Sequence, residues 1–144
     1  YFEYMELGRT EFMRAIGYPY ARLEEEGFLF VVVELGAKLI APARYDDTLR
    51  VLTHVERVRP SSLVFAYEVF RVAAGHARPT AVEPADATGS AARDAAAGAT
   101  QEAPILLARG TTRLACLRAD TRQVAPIPDA FHTFLSRCVA EKAN

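Results

Sequence analysis

Apolar positions near the start of the chain recur at the spacing of an amphipathic helix. Four of them fall on one broad face, and most charged side chains lie elsewhere: Phe2, Met5, Phe12 and Ile16. Gly17 and Pro19 end this pattern. Residues 20–26 are compatible with a short helical turn that ends at Gly27, a residue suited to a left-handed cap. The pattern predicts a helix over residues 1–16 and a second helical turn after it.

The middle of the chain has the alternation and residue types of strands. Extended segments are predicted at residues 28–41, 48–59, 63–72 and 105–117. In the second segment Val51 and Val55 point one way while Arg50 and Glu56 point the other, which indicates one buried and one wet face. The third segment is apolar on both faces. This is expected for a central strand that the helix covers on one face and something else, such as a partner subunit, covers on the other. Turn residues leave little room for crossover helices, so we predict an antiparallel meander.

A final helix is predicted to open at Pro128 and Asp129 and to dock on the sheet. Its apolar stripe has the spacing i, i+3, i+4, i+7: Phe131, Phe134, Leu135 and Cys138. Residues 73–103 are rich in Ala, Gly, Thr and Pro and lack periodicity, which predicts a disordered insertion between two strands. Residues 1–144 otherwise form one domain. The predicted fold class is α+β, with a curled antiparallel sheet around one long helix.

The composition argues against a membrane-spanning protein and against nucleic acid as the main partner. The 144 residues are 51% hydrophobic and 24% charged, and no apolar run approaches the roughly 20 residues that cross a bilayer. A formal net charge of −1 argues against nucleic acid as the main partner. Cys116 and Cys138 lack the spacing of a zinc site and are expected to be buried thiols. With no visible signal peptide, we expect a cytoplasmic location.

Several segments in order resemble a known enzyme family. They are Tyr1-Phe2-Glu3 with Arg9-Thr10-Glu11-Phe12, the valine-rich run Phe30 to Glu34, Ala41 to Asp47, and Arg59 to Phe65. Together they resemble the hot-dog-fold acyl-CoA thioesterases of the 4-hydroxybenzoyl-CoA thioesterase family, including the Tol-Pal-associated ones. The resemblance implies hydrolysis of an acyl-CoA thioester to a carboxylic acid and free CoA, with no cofactor and no metal. It also implies a homodimer or homotetramer built by joining sheets edge to edge.

The same resemblance locates the catalytic acid. In this subfamily the acid is an aspartate upstream of the helix, and no such segment precedes Tyr1, which also lacks a capping residue ahead of it. We therefore expect the domain to be truncated, without its first strand and catalytic loop. Other hot-dog thioesterases carry the acid on the helix, near the level of Glu3. Glu3 is thus a candidate general base or nucleophile, or else a structural residue at a dimer interface, while Glu11 is expected to pair with an arginine.

The resemblance further suggests a site for the CoA phosphates. Arg59, Ser61 and Ser62 occupy the turn that corresponds to one such site, and a guanidinium fork with hydroxyls suits phosphate oxygens. The alternative is an ordinary solvated turn. Two other functions remain open for the whole domain. One is a hot-dog hydratase or dehydratase, which the absence of a histidine in the helix disfavours, and the other is a non-catalytic dimer that binds acyl thioesters or a protein partner.

Overall fold

The computed structural model describes residues 1–73 and 102–143. The elements are helix α1 (Phe2–Ala15), helix α2 (Tyr20–Glu25), strands β1 (Phe28–Leu39), β2 (Thr48–Val58), β3 (Ser62–Val72) and β4 (Ile105–Arg118), and helix α3 (Asp129–Ala143). Each predicted element is confirmed, with shifts of one or two residues at its ends. The predicted disordered insertion at residues 73–103 lies almost entirely outside the described residues.

The four strands form one antiparallel sheet in the order β1-β4-β3-β2. The meander prediction is therefore wrong at one step, because β1 pairs with β4, from Phe28 opposite Arg118 to Leu39 opposite Ala108. Residues 40–47 cross the end of the sheet instead of forming a hairpin. Three strand spacings amount to about 14 Å, a distance that a segment of this length spans easily. The connection between β1 and β2, although short, is therefore long enough for β4 and β3 to lie between these two strands.

The sheet curls around α1, as the α+β prediction requires. Met5, Phe12 and Met13 on α1 are at most 2% exposed. Phe2 is 53% exposed, although it was predicted on the buried face, because the core does not extend to the first turn of the helix. The left-handed conformation expected at Gly27 is confirmed by its φ of 87°.

Glycine permits the close approach of α1 to the sheet. A Cβ atom built on Gly8 would lie 2.5 Å from Thr53 Oγ1 and 3.3 Å from Val51 Cγ1, both on β2. A Cβ atom on Gly110 of β4 would lie 2.1 Å from Met5 Cε. At Gly8 the nearest atom belongs to the short, fully buried Thr53 side chain, so this glycine sets the distance between α1 and β2. At Gly110 the nearest atoms are the flexible end of the Met5 side chain.

Helix α3 docks on the sheet through part of its predicted stripe. Phe131 and Leu135 are fully buried, whereas Phe134 is 40% exposed. The ring of Phe131 stacks on Tyr18, with centroids 4.4 Å apart, and lies 5.9 Å from the ring of Phe30. No helix in the described part of the chain is long and apolar enough to cross a membrane.

Candidate functional site

Glu3 lies in the first turn of α1, at the end of the sheet where β1 finishes and β2 starts. Nearby, the Tyr1 hydroxyl donates a hydrogen bond of 3.4 Å to the carbonyl of Ala41, which lies between β1 and β2. The Glu3 side chain is exposed and makes no hydrogen bond or ion pair with any described residue. Glu11, in contrast, pairs with Arg14 as predicted. Glu3 is therefore an accessible carboxylate at the positive end of the α1 dipole.

The predicted CoA-binding residues lie in the β2–β3 turn. The Arg59 amide donates to the Ser62 carbonyl at 2.8 Å, and the Cys116 amide donates to the Ser61 carbonyl at 2.9 Å. These backbone bonds fix the turn against β4. The Arg59 guanidinium and the hydroxyls of Ser61 and Ser62 have no hydrogen-bond partner among residues 1–73 and 102–143. A rigid turn with three available donors can contact phosphate oxygens.

A single chain places these two groups at opposite ends of the sheet. Gly8 of α1 lies against Thr53, and Phe12 lies 5.6 Å from Phe65 between ring centroids, so α1 runs toward the β2–β3 turn and begins at the far end. Strand β3, from Ser62 to Val72, has a length of roughly 33 Å at the usual rise per residue. The residues predicted for catalysis and for CoA binding are not brought together within one chain, and both assignments stay predictions.

The structure also contains a pocket that sequence reasoning did not predict, between α1, α2 and β1. We call it the α1–α2 pocket; its volume is about 270 Å³. Six apolar residues form part of its lining: Leu23, Phe28, Leu29, Phe30, Val32 and Leu114. The rest of the lining is polar or charged and includes two carboxylates: Glu6, Arg9, Thr10, Tyr20 and Glu24.

Arg9 is the notable charge in this pocket, because its side chain is only 13% exposed. The Tyr20 hydroxyl is buried beside it and has no hydrogen-bond partner of good geometry among the described residues. Burial raises the pKa of Tyr20 and the nearby Arg9 cation partly opposes that rise. Burial also raises the pKa of Tyr67 on β3, whose hydroxyl shares a 2.7 Å hydrogen bond with Thr112 Oγ1. Both tyrosines are therefore neutral at physiological pH.

A signal for Arg9 was present in the sequence. Arg9 stands four residues after Met5 and four before Met13, and both methionines are fully buried. A charged residue at that position lies on the apolar stripe of the helix and not on its solvated face. Tyr20 carries no comparable signal, because its neighbours in space come from α1 and β1.

A second, shallower depression lies on the face of the sheet away from α1, with a volume of about 350 Å³. Small residues of neighbouring strands form its floor, among them Gly36, Ala66 and Thr111. Arg109 and Glu68, paired at 3.1 Å, lie at its rim. Within residues 1–73 and 102–143 no cluster of His, Cys, Asp and Glu could hold a metal ion.

Known proteins resemble this chain in sequence and in fold. The sequence profile described as the thioesterase-like superfamily matches residues 1–135. A protein of Escherichia coli O157:H7 named acyl-CoA thioester hydrolase YbgC is 35% identical over 69 residues, which are 48% of this chain and 52% of that protein. The chain spans about half the length of the curated relatives it matches, 52% to 56% for the first three.

Solved structures share the architecture over almost the whole chain. The hypothetical protein TT1821 from Thermus thermophilus is 30% identical, with a TM-score of 0.67 over 94% of this chain and 79% of that one. DHNA-CoA thioesterase from Staphylococcus aureus has a TM-score of 0.69 at 21% identity, over 98% of this chain and 76% of that one, which is a likeness of fold. The sheet wrapped around α1 is therefore a hot-dog fold. The chain belongs to the thioesterase-like superfamily.

Proposed function

We propose that the protein hydrolyses an acyl-CoA thioester to a carboxylic acid and free CoA, in the manner of the 4-hydroxybenzoyl-CoA thioesterase family. The observation that carries this proposal is the match to the thioesterase-like superfamily over residues 1–135. Relatives that are named acyl-CoA thioester hydrolase or acyl-CoA thioesterase support the choice of substrate class.

The start of α1 offers the two chemical groups that this reaction needs. The first-turn backbone N–H groups have no intrahelical partner, so they can polarise a thioester carbonyl and stabilise the oxyanion that forms on it. In our proposal the Glu3 carboxylate takes a proton from the attacking water. The tetrahedral intermediate then expels the CoA thiolate, which receives that proton. Arg59, Ser61 and Ser62 would hold the CoA phosphates.

The exposed edge of β1 supports a dimer in this proposal. From Val32 to Leu39 every residue of the strand is exposed, and Val33, Leu35 and Leu39 are between 48% and 65% exposed. A long apolar edge is stabilised when it pairs with another strand, and a second copy of β1 supplies one. When two β1 strands pair antiparallel, the strands of the partner's sheet run in the opposite direction. It therefore puts the α1 start of one subunit and the partner's β2–β3 turn at the same end of the joined sheet.

The protein is also proposed to act in the cytoplasm. Cys116 is buried, Cys138 is half-buried, and the two do not form a disulfide with each other. Burial raises the pKa of Cys116 to about 11, so this thiol stays protonated and unreactive at neutral pH. Cysteines that do not form a disulfide are typical of a reducing compartment.

Thioester hydrolysis is tested by trapping the released thiol from benzoyl-, hexanoyl- and palmitoyl-CoA. We expect turnover of at least one substrate, and we expect Glu3→Gln to lower kcat by about 100-fold because the amide cannot accept the proton. Glu25→Gln, at an exposed position on α2, is the matched control and should keep full activity. Turnover unaffected by Glu3→Gln would remove Glu3 from the mechanism. Calorimetric binding of a nonhydrolysable CoA analogue, with no hydrolysis of any thioester, would favour the non-catalytic dimer instead.

Dimerisation through β1 is tested by analytical ultracentrifugation. Leu35→Lys places a charge on the proposed seam and should raise the dimer dissociation constant at least tenfold, since like charges then meet across the two-fold axis. Tyr45→Lys changes a fully exposed aromatic residue outside β1 and should leave the dimer intact. A wild-type protein that is monomeric at every concentration would show that β1 is not the seam.

A further inference from the structure

We propose that the acyl group of the substrate is an unsubstituted hydrocarbon, without hydroxyl, amino or other polar groups. It would lie on an apolar surface that we call the β1 strip. The strip consists of one residue of α1 and four of β1: Phe2, Val32, Leu35, Ala37 and Leu39. This inference rests on the thioesterase activity proposed above and names the substrate class of that site.

The strand register puts the β1 strip on the face of the sheet that carries α1. In an antiparallel pair, residues opposite each other have side chains on the same face. Three residues of the strip have partners on β4 that are at most 3% exposed, in the pairs Val32 with Leu114, Leu35 with Thr112, and Leu39 with Ala108. Ala37 lies opposite Gly110, and the atom nearest to a Cβ built on Gly110 is Met5 Cε of α1. The side chains of the strip therefore point to the same side as α1.

The helices leave this part of β1 uncovered. Helix α1 lies over other strands, since Gly8 approaches β2 and Phe12 contacts Phe65 of β3. Helix α2 covers only the first part of β1, where the ring centroids of Tyr20 and Phe30 are 6.5 Å apart. The four large side chains of the β1 strip are consequently 42% to 65% exposed.

Phe2 connects the strip to the candidate catalytic residue. Phe2 precedes Glu6 by four residues, so the two side chains share one side of α1. Glu6 lines the α1–α2 pocket together with Val32, which shows that this side of the helix faces β1. Glu3 is the next residue after Phe2, and the end of the strip with Phe2 and Leu39 is therefore nearest to Glu3. The acyl group is bonded to the carbon that water attacks, so it has to lie close to that carboxylate.

Pairing of two β1 strands does not cover the strip. Strands pair through backbone N–H and C=O groups at their edges, and the faces of the sheets stay open. In the proposed dimer the strips of both copies lie side by side between the two α1 helices. An exposed apolar surface of this kind is unfavourable in water, and a hydrocarbon ligand removes it from water.

The chemistry of the strip restricts the acyl group. Its side chains contain no hydrogen-bond donor or acceptor. A hydroxyl or amine buried against them would lose its water partners and gain none, which weakens binding. The polar and charged lining of the α1–α2 pocket begins only at Val32, the end of the strip farthest from Glu3. An acyl group that stays on the strip contacts hydrocarbon alone.

Octanoyl-CoA and 6-hydroxyoctanoyl-CoA, which differ by one hydroxyl, test the proposal on the whole chain. We expect kcat/KM to be higher for octanoyl-CoA by roughly 10- to 100-fold, the range in which an apolar site rejects an added hydroxyl. Leu39→Asn changes polarity at similar size and should lower this preference by about threefold or more. Val32→Thr adds a hydroxyl at nearly constant shape and should act in the same direction. Leu7→Asn, at an exposed position of α1 outside the strip, should leave the preference unchanged.

Isothermal titration calorimetry with thioether analogues separates this proposal from the proposed enzyme. S-Octyl-CoA and S-(6-hydroxyoctyl)-CoA cannot be hydrolysed, and we expect the first to bind about tenfold tighter or more. That result in a protein that hydrolyses no thioester would support this inference and contradict only the proposed activity. Hydrolysis of the two octanoyl thioesters with equal kcat/KM would contradict this inference and leave the proposed activity standing.

Three results of these binding experiments would overturn the proposal. The first is that the two analogues bind equally or not at all. The second is that Leu39→Asn and Val32→Thr both leave the preference for S-octyl-CoA unchanged. The third is that Leu39→Asn dissociates the dimer in analytical ultracentrifugation while the wild-type protein does not distinguish the analogues, since a second copy would then cover the strip.

Discussion

Replacing Phe131 by alanine is expected to lower the free energy of unfolding by about 3 to 5 kcal/mol. The ring is fully buried and touches aromatic side chains from two other parts of the chain, Tyr18 and Phe30. Its loss removes apolar area from the core, leaves a cavity, and ends both ring contacts. Urea unfolding followed by circular dichroism measures the change.

Phe134→Ala is the matched control for that experiment. The substitution is chemically identical and lies in the same helix, but the Phe134 ring is 40% exposed. Its effect should remain under about 1 kcal/mol. Equal losses at the two positions would contradict the docking of α3 through Phe131.

Gly8→Ala should destabilise the protein by about 1 to 3 kcal/mol, although alanine favours a helix over glycine by about 1 kcal/mol. The new methyl group would lie 2.5 Å from Thr53 Oγ1. Thr53 is fully buried in β2, so neither partner has room to move. Helix α1 would have to rise from the sheet, and the packing of Met5 and Phe12 would loosen. Thermal and urea unfolding of the variant give the loss directly.

A double-mutant cycle identifies the cause of that loss. Thr53→Ala removes the clashing oxygen, and that oxygen has no hydrogen-bond partner in the described residues, so no donor or acceptor is orphaned. The Gly8→Ala/Thr53→Ala protein should be more stable than the sum of the single losses predicts. Gly36→Ala is the control for glycine replacement itself, because nothing lies within 4 Å of the added Cβ atom. Strict additivity would mean that the helix does not approach β2 at Gly8.

Local patterns predicted the elements of this fold well. The alternation through β2 placed Val55 in the core, and the 3.6-residue period of α3 placed Phe131 and Leu135 there. These patterns report which face of an element is apolar, and burial then follows the same period. The family resemblance added the hot-dog fold, which the thioesterase-like superfamily match confirms.

Partners far apart in the sequence were not predictable in the same way. The meander prediction followed from the short segment between β1 and β2, yet the neighbour of β1 is β4. Nothing in the residues of β1 encodes the identity of that neighbour, since an apolar strand can pair with any other. The proximity of Arg9 and Tyr20 was not predictable either, because it arises only when α2 folds against α1 and β1.

The pairing of β1 with β4 has a consequence during synthesis. Strand β1 ends at Leu39, and its hydrogen-bonding neighbour does not begin until Ile105. The ribosome therefore synthesises the valine-rich strand β1 long before β4. The β2–β3 hairpin, in contrast, can form as soon as its adjacent residues have been made. Contacts between distant segments slow folding, and an unpaired apolar strand is prone to association with other chains. The yield of folded protein in a cell thus depends on how well β1 is shielded while the rest of the chain is being made.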